Sequence, residues 1–212
     1  MASVIVLGVL VSGSGTNLQA ILDAIRGREL DARVAVVVSN VPGAHALDRA
    51  REAGVEAVVV DHTEFATRSE FDAAVVALLR ARGVELVVLA GFMRLLTGSL
   101  LDAFPMRIVN VHPALLPAFP GVAGQRQALE YGVRVTGCTV HFVDGGTDTG
   151  PIIAQATVPV LDGDDEASLT ARILAKEHEL LPRVLQWIAE GRVAVHVGAG
   201  GRARVHVLTP TP

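Results

Sequence analysis

Short apolar runs alternate along the first half of the chain with segments whose apolar residues recur every three or four positions. The runs are rich in valine, isoleucine and leucine, which is typical of strands buried on both faces of a parallel sheet. The periodic segments are typical of helices, and two of them end at a glycine. The pattern predicts strands at residues 4–11, 33–38, 57–60 and 86–90, and helices at residues 18–25, 44–53, 69–82 and 100–104.

The second half begins in the same way and then changes its pattern. A strand is predicted at residues 108–111 and a short helix at residues 125–131. An alternating strand at 136–143 and a returning strand at 152–160 predict an antiparallel hairpin with a long connection. The longest helix is predicted at residues 165–190, followed by a small hairpin around residues 198–201 and a frayed tail after Leu208.

These elements predict an α/β fold in which a doubly wound, mostly parallel sheet carries an antiparallel portion in its C-terminal half. No repeat, linker or low-complexity stretch divides the chain. Residues 1–212 are therefore expected to form a single domain.

Composition narrows the classes of protein and partner. Half of the 212 residues are hydrophobic and 19% are charged, so a large core is expected and disorder is not. The net charge of −4 and the lack of a basic patch argue against nucleic acid and membrane as partners. The apolar start lacks the charged leading region of a signal peptide, and the single Cys138 fits a reducing compartment. A cytoplasmic protein is therefore expected.

A glycine-rich turn from Ser12 to Asn17 separates the first predicted strand from the first helix. Glycine lets the backbone approach a ligand, and a helix N-terminus attracts anions, so the turn indicates a phosphate site. The alternative is a simple tight turn, and in either case Ser14 or Thr16 could cap the helix. A dinucleotide fingerprint would need glycine where Leu18 stands, and a Walker loop would need a lysine. The turn therefore suits a single phosphate.

Two polar side chains, Asn110 and His112, lie at the end of the strand that starts at Ile108. Because they are two residues apart in an extended chain, they point to the same face, and Pro113 ends the strand directly after them. Ligands bind at the carboxyl ends of parallel strands, so the pair indicates a site. A structural histidine is the commoner role for a lone His near a strand end.

Three other segments have both a structural and a functional interpretation. Asp144 and Asp148 lie in a glycine-rich loop at residues 144–151, where turn formation is the ordinary role of aspartate. The apolar loop at residues 91–96 would by default be core, but it follows a strand at the same sheet edge and could line a pocket. Glu177 lies in the middle of the longest predicted helix, where a solvated charge is the default.

The order of these motifs resembles that of the folate-dependent formyltransferases. The resemblance is carried by Asn110-Val111-His112-Pro113, by Leu115-Leu116-Pro117 and by Asp148-Thr149-Gly150-Pro151. The turn at residues 12–20 narrows it to the phosphoribosylglycinamide formyltransferases, and residues 90–94 and 176–178 fit the same group. The resemblance covers nearly all of residues 4–195 and implies the Rossmann-like formyltransferase fold.

The resemblance implies that a formyl group passes from 10-formyltetrahydrofolate to the amine of glycinamide ribonucleotide (GAR), giving formyl-GAR and tetrahydrofolate in purine biosynthesis. It implies no metal, small-molecule partners only, and a monomer or homodimer. The N-terminal half, about residues 1–105, would hold the phosphate. The C-terminal half, about residues 106–212, would hold the folate and the catalytic residues.

The implied site residues fall into three groups. The catalytic trio is Asn110, His112 and Asp148. The GAR site comprises Gly15, Thr16 and Asn17 at the phosphate and Glu177 at the ribose hydroxyls. The folate site comprises Arg68, Leu89, Met93, Arg94, Leu95, Leu96, Ile108, Asn110, Val143, Asp144, Gly145, Gly146, Thr147 and Asp148, with Leu89, Ile108 and Val143 as the wall of the pteridine pocket.

The chemistry of formyl transfer supports the trio independently. Attack of the amine on the formyl carbon creates an oxyanion, to which the Asn110 amide and a protonated His112 can donate. A carboxylate such as Asp148 raises the pKa of a nearby histidine and can accept the amine proton through water. One departure from the family pattern concerns residues 121–125, which lack the histidines that relatives often carry there. A role of those histidines is therefore not expected in this chain.

Four other functions remain open on the sequence alone. Methionyl-tRNA formyltransferases normally carry an additional C-terminal domain that binds tRNA. Formyltetrahydrofolate deformylases normally carry an additional N-terminal regulatory domain. Neither of these two domains is expected in this chain. A zinc hydrolase using His112, His141 and Asp148 would leave Asn110 without a role. A non-catalytic nucleotide-binding protein would use the phosphate turn and leave the trio idle.

Overall fold

The computed structural model describes residues 4–198 and 200–209 of the chain. Residues 1–3, at the apolar start of the chain, and most of the predicted tail after Leu208 lie outside those ranges. The strands are β1 (Ile5–Val11), β2 (Ala32–Ser39), β3 (Ala57–Val59), β4 (Leu86–Leu89), β5 (Ile108–His112), β6 (Val135–Phe142), β7 (Ile152–Pro159), β8 (Val193–Val197) and β9 (Ala203–Val207). The α-helices are α1 (Thr16–Arg26), α2 (His45–Glu52), α3 (Arg68–Ala81), α4 (Gly98–Ala103), α5 (Gly124–Tyr131) and α6 (Glu166–Ala189), with a 3-10 turn at His62–Glu64.

The central sheet has seven strands in the order β3-β2-β1-β4-β5-β6-β7. Strands β1 to β5 pair in parallel, whereas β6 is antiparallel to both β5 and β7. The predicted fold class, with its antiparallel C-terminal portion, is thus confirmed. Strands β8 and β9 form a separate two-stranded antiparallel sheet, which confirms the predicted terminal hairpin.

Apolar side chains pack on both faces of the sheet, as the continuous Val/Ile/Leu runs predict. Val9 and Val109 belong to one cluster, which α1, α2 and α6 cover. Leu10 and Ile108 belong to a second cluster on the opposite face, which α3 and α4 cover. The chain runs outward from β1 through β2 to β3 and then crosses from β3 to β4, on the other side of β1. Because the strand order reverses there, a crevice is expected at the carboxyl ends of β1 and β4.

The two longest helices begin at the caps that their sequences encode. Thr67 accepts from the backbone N–H of Glu70 while the Glu70 carboxylate accepts from the N–H of Thr67, which starts α3. Asp165 and Ser168 make the same reciprocal bonds at the start of α6. Of the helices in the described ranges, none combines the length and the apolar character needed to cross a bilayer.

Candidate active site

The carboxyl ends of three strands are tied together by Ser12, which follows β1. Its hydroxyl donates to Asn40 Oδ1 (2.6 Å) after β2 and accepts from the backbone N–H of Met93 (2.9 Å) after β4. Its own N–H donates to the carbonyl of Gly91 at 3.1 Å. Above these bonds lies a cleft of about 270 Å³, which is lined by Ser12, Gly13, Ser14, Gly15, Thr16, Asn17, Ala90, Gly91, Met93, Val111, Pro113, Gln125, Leu174 and Glu177.

The glycine-rich turn forms one end of this cleft. Gly15 is the N-cap of α1 and has a left-handed backbone (φ 72°), with no side-chain hydrogen bond at the cap. The expectation that Ser14 or Thr16 caps the helix is therefore wrong. Within the described part of the chain, the backbone N–H groups of residues 14–17 have no hydrogen-bond partner. These donors and the positive end of the helix dipole make the turn suited to binding an anion.

Asn17 and Glu177 form a buried polar pair beside the turn. Asn17 Nδ2 donates to Glu177 Oε2 at 2.7 Å, and the Glu177 side chain is only 4% exposed. The default of a solvated charge at Glu177 is therefore wrong. Burial raises the pKa of Glu177 to about 7, although the Asn17 amide opposes the shift. The spacing of Glu177 from the buried Ile173 and Leu181, four residues on either side, is the signal that could have predicted its burial.

The raised pKa of Glu177 makes stability depend on pH. Glu177 stays protonated in the folded protein up to about pH 7 but ionises near pH 4.5 in the unfolded chain. The folded state therefore binds more protons between these values, and stability falls as the pH rises through this window, by roughly 3 kcal/mol for a shift of this size. We expect Glu177→Gln to remove this fall, as measured by urea unfolding between pH 4.5 and 8.

The control for this prediction is Glu179→Gln on the same helix, because Glu179 is exposed and pairs with Lys176 at 2.8 Å. Its unfolding curve should keep the pH dependence of the unchanged protein. If Glu177→Gln also keeps that dependence, the proton on Glu177 does not contribute to it.

Asn110 and His112 lie on the same face of β5, as their spacing predicts, and this is the face on which Ile108 packs. His112 is 4% exposed. Its Nε2–H donates to the carbonyl of Phe119 at 2.8 Å, and its Nδ1 is 3.4 Å from Asp148 Oδ2. Burial lowers the pKa of His112, and the Phe119 carbonyl and the Asp148 carboxylate both oppose that shift. Two acceptors thus face the two ring nitrogens, but they offset the effect of burial only in part, and the pKa of His112 stays below its usual value.

Asp148 is held by the loop after β6 in a left-handed backbone conformation (φ 54°), which is unusual for a residue other than glycine. Its Oδ2 accepts from the N–H of Gly121 at 2.7 Å. Burial alone would raise the pKa of Asp148, but the ring of His141, the N–H of Gly121 and the charge of His112 outweigh it and hold the pKa below its usual value. The carboxylate is therefore ionised at neutral pH.

His141 joins this group, although the sequence pointed to it only as a ligand in a zinc hydrolase. It lies on β6 directly opposite Asn110, and it is 1% exposed. Its Nδ1–H donates to the carbonyl of Phe142 (2.8 Å), and its Nε2 lies 3.2 Å from Asn110 Nδ2. The same Nε2 is 3.6 Å from Asp148 Oδ1. His141 therefore contacts two members of the predicted trio.

Zinc chemistry finds no support in this arrangement. Across residues 4–198 and 200–209, no group of three or more His, Cys, Asp or Glu side chains is placed to hold a metal ion. The thiol of Cys138 on β6 is buried, and burial raises its pKa to about 12. It is therefore a poor nucleophile at neutral pH.

The apolar residues expected at the folate site pack against one another. Leu89 and Ile108 are buried in the second cluster, and Leu96 and Val143 pack on its edge. The N–H of Val143 donates to the carbonyl of Ile108 at 2.9 Å. These four side chains come from β4, the loop after it, β5 and the loop after β6, and together they could form an apolar wall beside Asn110.

The loop after β4 is less uniform than its apolar sequence suggests. Met93 is 73% exposed and Leu95 is also exposed, whereas Arg94 lies over the ring of Phe71 at 4.8 Å from its centroid. Arg68 is the first residue of α3, the helix that carries Phe71. Exposed Met93 and Leu95 have no core role, so the interpretation of this loop as a pocket wall is favoured over a core role for them.

The two aspartates in the loop between β6 and β7 make different contacts, so that each of the two interpretations applies to one of them. Asp144 accepts from the N–H of Gly146 (3.1 Å) and from the Thr149 hydroxyl (2.6 Å), which is turn formation. Asp148 instead points to His112 and Gly121. Gly145 is exposed between them, and Thr147 lines a smaller cavity of about 100 Å³ that Asp148 shares.

Comparison with known proteins agrees with this geometry. Residues 5–185 match the family described as formyl transferase. The chain is 48% identical over 191 residues to the trifunctional purine biosynthetic protein adenosine-3 of Drosophila melanogaster, which covers 89% of this chain but only 14% of that protein. The chain thus spans about a seventh of that relative's length.

Two other relatives match over most of their own length. The chain is 48% identical over 189 residues to a phosphoribosylglycinamide formyltransferase of Mycobacterium tuberculosis, covering 89% of this chain and 87% of that one. The crystal structure of glycinamide ribonucleotide transformylase 1 from Symbiobacterium toebii superposes with a TM-score of 0.94 and 55% identity, covering 97% of this chain and 95% of the other. With the family match extending over the whole seven-stranded sheet and its site, the chain belongs to the formyl transferase family.

Proposed function

We propose that this protein transfers the formyl group of 10-formyltetrahydrofolate to the amine of GAR, giving formyl-GAR and tetrahydrofolate in purine biosynthesis. One observation carries the proposal. An anion site with open N–H groups, at residues 14–17, shares a cleft with Val111 and Pro113, the two neighbours of buried His112. A phosphorylated substrate seated on the turn would therefore extend toward the polar trio.

The proposed GAR site uses the first half of the chain together with α6. The phosphate would accept hydrogen bonds from the N–H groups of Gly15, Thr16 and Asn17, where the helix dipole favours negative charge. Glu177 lines the same cleft and presents a carboxyl group, which is suited to binding the ribose hydroxyls. We propose that residues 1–212 act as one domain, with the folate held mainly by the second half.

The proposed folate site lies on the other side of Asn110. The pteridine ring would pack on Leu89, Ile108 and Val143, and the polar backbone of residues 144–148 would bind its edge. Exposed Met93 and Leu95 would gain apolar cover from the bound folate. Arg68, Arg94 and Leu96 complete the proposed set, and no metal takes part in it.

The reaction follows from the contacts of the trio. The amine nitrogen of GAR attacks the formyl carbon, and the carbonyl oxygen becomes an oxyanion that accepts from the Asn110 amide and from protonated His112. Asp148, ionised at neutral pH, stabilises that protonated His112 and accepts the amine proton through water. The bond to N10 then breaks, and N10 takes up a proton. Because His112 Nε2–H donates to the carbonyl of Phe119 in the structure, the oxyanion has to compete with that carbonyl for the hydrogen bond.

A formyl-transfer assay tests this function. Purified protein would receive GAR and 10-formyltetrahydrofolate, and loss of the formyl donor would be followed with each substrate omitted in turn. Turnover that requires both substrates is the expected result. Donor loss without GAR would indicate a deformylase, and nucleotide binding with no turnover would indicate a non-catalytic protein. In a parallel assay with methionyl-tRNA in place of GAR, formylation of the tRNA would indicate the tRNA enzyme.

We propose further that the reaction takes place in the cytoplasm, with small molecules as the only partners, and that the protein is a monomer or homodimer. The buried and unpaired thiol of Cys138 supports a reducing compartment. Sedimentation velocity at two protein concentrations would separate the monomer from the homodimer.

A further inference from the structure

Arg49, on α2, contacts the glycine-rich turn from behind. Its Nε–H donates to the carbonyl of Ser14 at 2.8 Å, and its Nη1 donates to Gln19 Oε1, on α1, at 3.1 Å. In the described part of the chain no carboxylate pairs with it, whereas Arg51 on the same helix pairs with Asp48 at 2.8 Å. A half-buried arginine that uses its charge on a carbonyl instead of a carboxylate calls for an explanation.

The geometry of the peptide bond supplies one. In a trans peptide the carbonyl and the following N–H point in opposite directions. Since Arg49 holds the Ser14 carbonyl toward α2, the N–H of Gly15 is directed away from α2. The N–H of Ala46 donates to the Gly13 carbonyl at 3.0 Å, which directs the N–H of Ser14 in the same way. Both donors therefore point away from α2, and residues 12–17, which carry them, line the cleft.

The packing at Gly15 confirms that α2 lies behind the turn. A Cβ atom on Gly15 would be 2.6 Å from Ala46 Cβ and 3.3 Å from Arg49 Cδ, so the side of Gly15 that faces α2 is filled. Arg49 does not line the cleft, so it acts through the turn. Its positive charge nevertheless acts on α6, which also lines the cleft. Together with burial, it lowers the pKa of His178, the neighbour of Glu177.

We infer that Arg49 is a positioning residue for the phosphate of the substrate: by holding the carbonyl of Ser14 it turns the N–H of Gly15 toward the cleft, and its positive charge strengthens that donor. The inference rests on the proposed function in one respect, that the anion bound there is the phosphate of GAR. A structural role alone would instead affect every substrate equally.

Kinetics of Arg49→Ala with both substrates test this first. The KM for GAR should rise about 10-fold, the scale of a hydrogen bond to a charged group, while kcat and the KM for 10-formyltetrahydrofolate stay unchanged. Arg49→Lys keeps the charge and a donor, and should recover most of the loss. Arg51→Ala removes an arginine from the same helix and should have no effect. An unchanged KM for GAR in Arg49→Ala would overturn the inference.

A substrate without phosphate separates positioning from a general structural effect. Glycinamide riboside retains the amine and the ribose but lacks the phosphate. Its kcat/KM should be the same for the unchanged protein and for Arg49→Ala. An equal loss of kcat/KM with the riboside and with GAR would show that Arg49 supports the fold and not the phosphate, and would overturn the inference.

Binding of ribose 5-phosphate, measured by titration calorimetry, keeps this test independent of the reaction. The unchanged protein and Arg51→Ala should bind it about 10-fold more tightly than Arg49→Ala. That result without any turnover of GAR would leave the inference intact and the proposed function wrong. Equal binding by all three proteins would overturn the inference even if GAR is the substrate.

Discussion

Replacing His112 with alanine should lower kcat for formyl transfer by about 10³-fold, because it removes one of the two donors proposed for the oxyanion. The ring is buried between the Phe119 carbonyl and Asp148, so no other side chain can take its place. The KM for GAR should change little, since His112 is absent from the lining of the cleft proposed to hold the phosphate. Steady-state kinetics with both substrates measure the two constants.

The same substitution at His206 provides the control, because His206 is exposed on β9 and lies in the terminal hairpin. His206→Ala should retain full activity. A His112→Ala protein that is folded and keeps kcat within a few-fold of the unchanged value would contradict the proposed role of His112.

Asp148→Asn should lower kcat by between about 10²- and 10³-fold, because it removes both the charge that stabilises protonated His112 and the acceptor for the amine proton. Asparagine tolerates the left-handed backbone found at this position (φ 54°) and can still accept from the N–H of Gly121, so the loop should keep its conformation. The loss is therefore one of chemistry and not of folding.

Asp148→Asn should also shift the dependence of kcat on pH, and the direction of that shift can be derived. The Asp148 carboxylate opposes the burial that lowers the pKa of His112. Without that charge the pKa of His112 falls further, and activity that needs protonated His112 should disappear at a lower pH than in the unchanged protein. Asp162→Asn, at an exposed residue that pairs with Arg134, should leave the profile unchanged. A profile that is identical in Asp148→Asn would contradict the coupling.

The fold and the shared face of Asn110 and His112 could be predicted from the sequence, for a definite physical reason. Continuous apolar runs and helical periods are local signals, and each corresponds to one strand or one helix of the fold. The shared face of Asn110 and His112 follows from the period of two in an extended chain. Each of these predictions needed only the residues of one element.

Contacts between elements were the part that could not be predicted. His141 lies opposite Asn110 only because β5 and β6 pair antiparallel in one particular register. The Phe119 carbonyl reaches His112 only through the path of the proline-rich loop. Neither feature has a signature within its own segment, so both contacts appear only once the tertiary structure is known.

The prediction of a serine or threonine cap for α1 was wrong, and the proposed anion site offers a reason. A serine or threonine cap would satisfy an N–H at the start of the helix, and so would remove a donor from the anion site. The chain instead places Gly15 there in a left-handed conformation and leaves the side chain of Thr16 out of the cap. The exception to the capping preference thus coincides with the proposed phosphate site.

The burial of Cys138 in the middle of β6 gives the protein an internal reporter of its own opening. A thiol with a pKa of about 12 is almost wholly protonated at pH 8, and it packs in the first apolar cluster, so alkylating reagents reach it only when the sheet separates. Because it is the single cysteine of the chain, the rate of its labelling measures the population of opened molecules without any engineered probe. Slower labelling in the presence of GAR would then give the free energy that the ligand adds to the closed sheet.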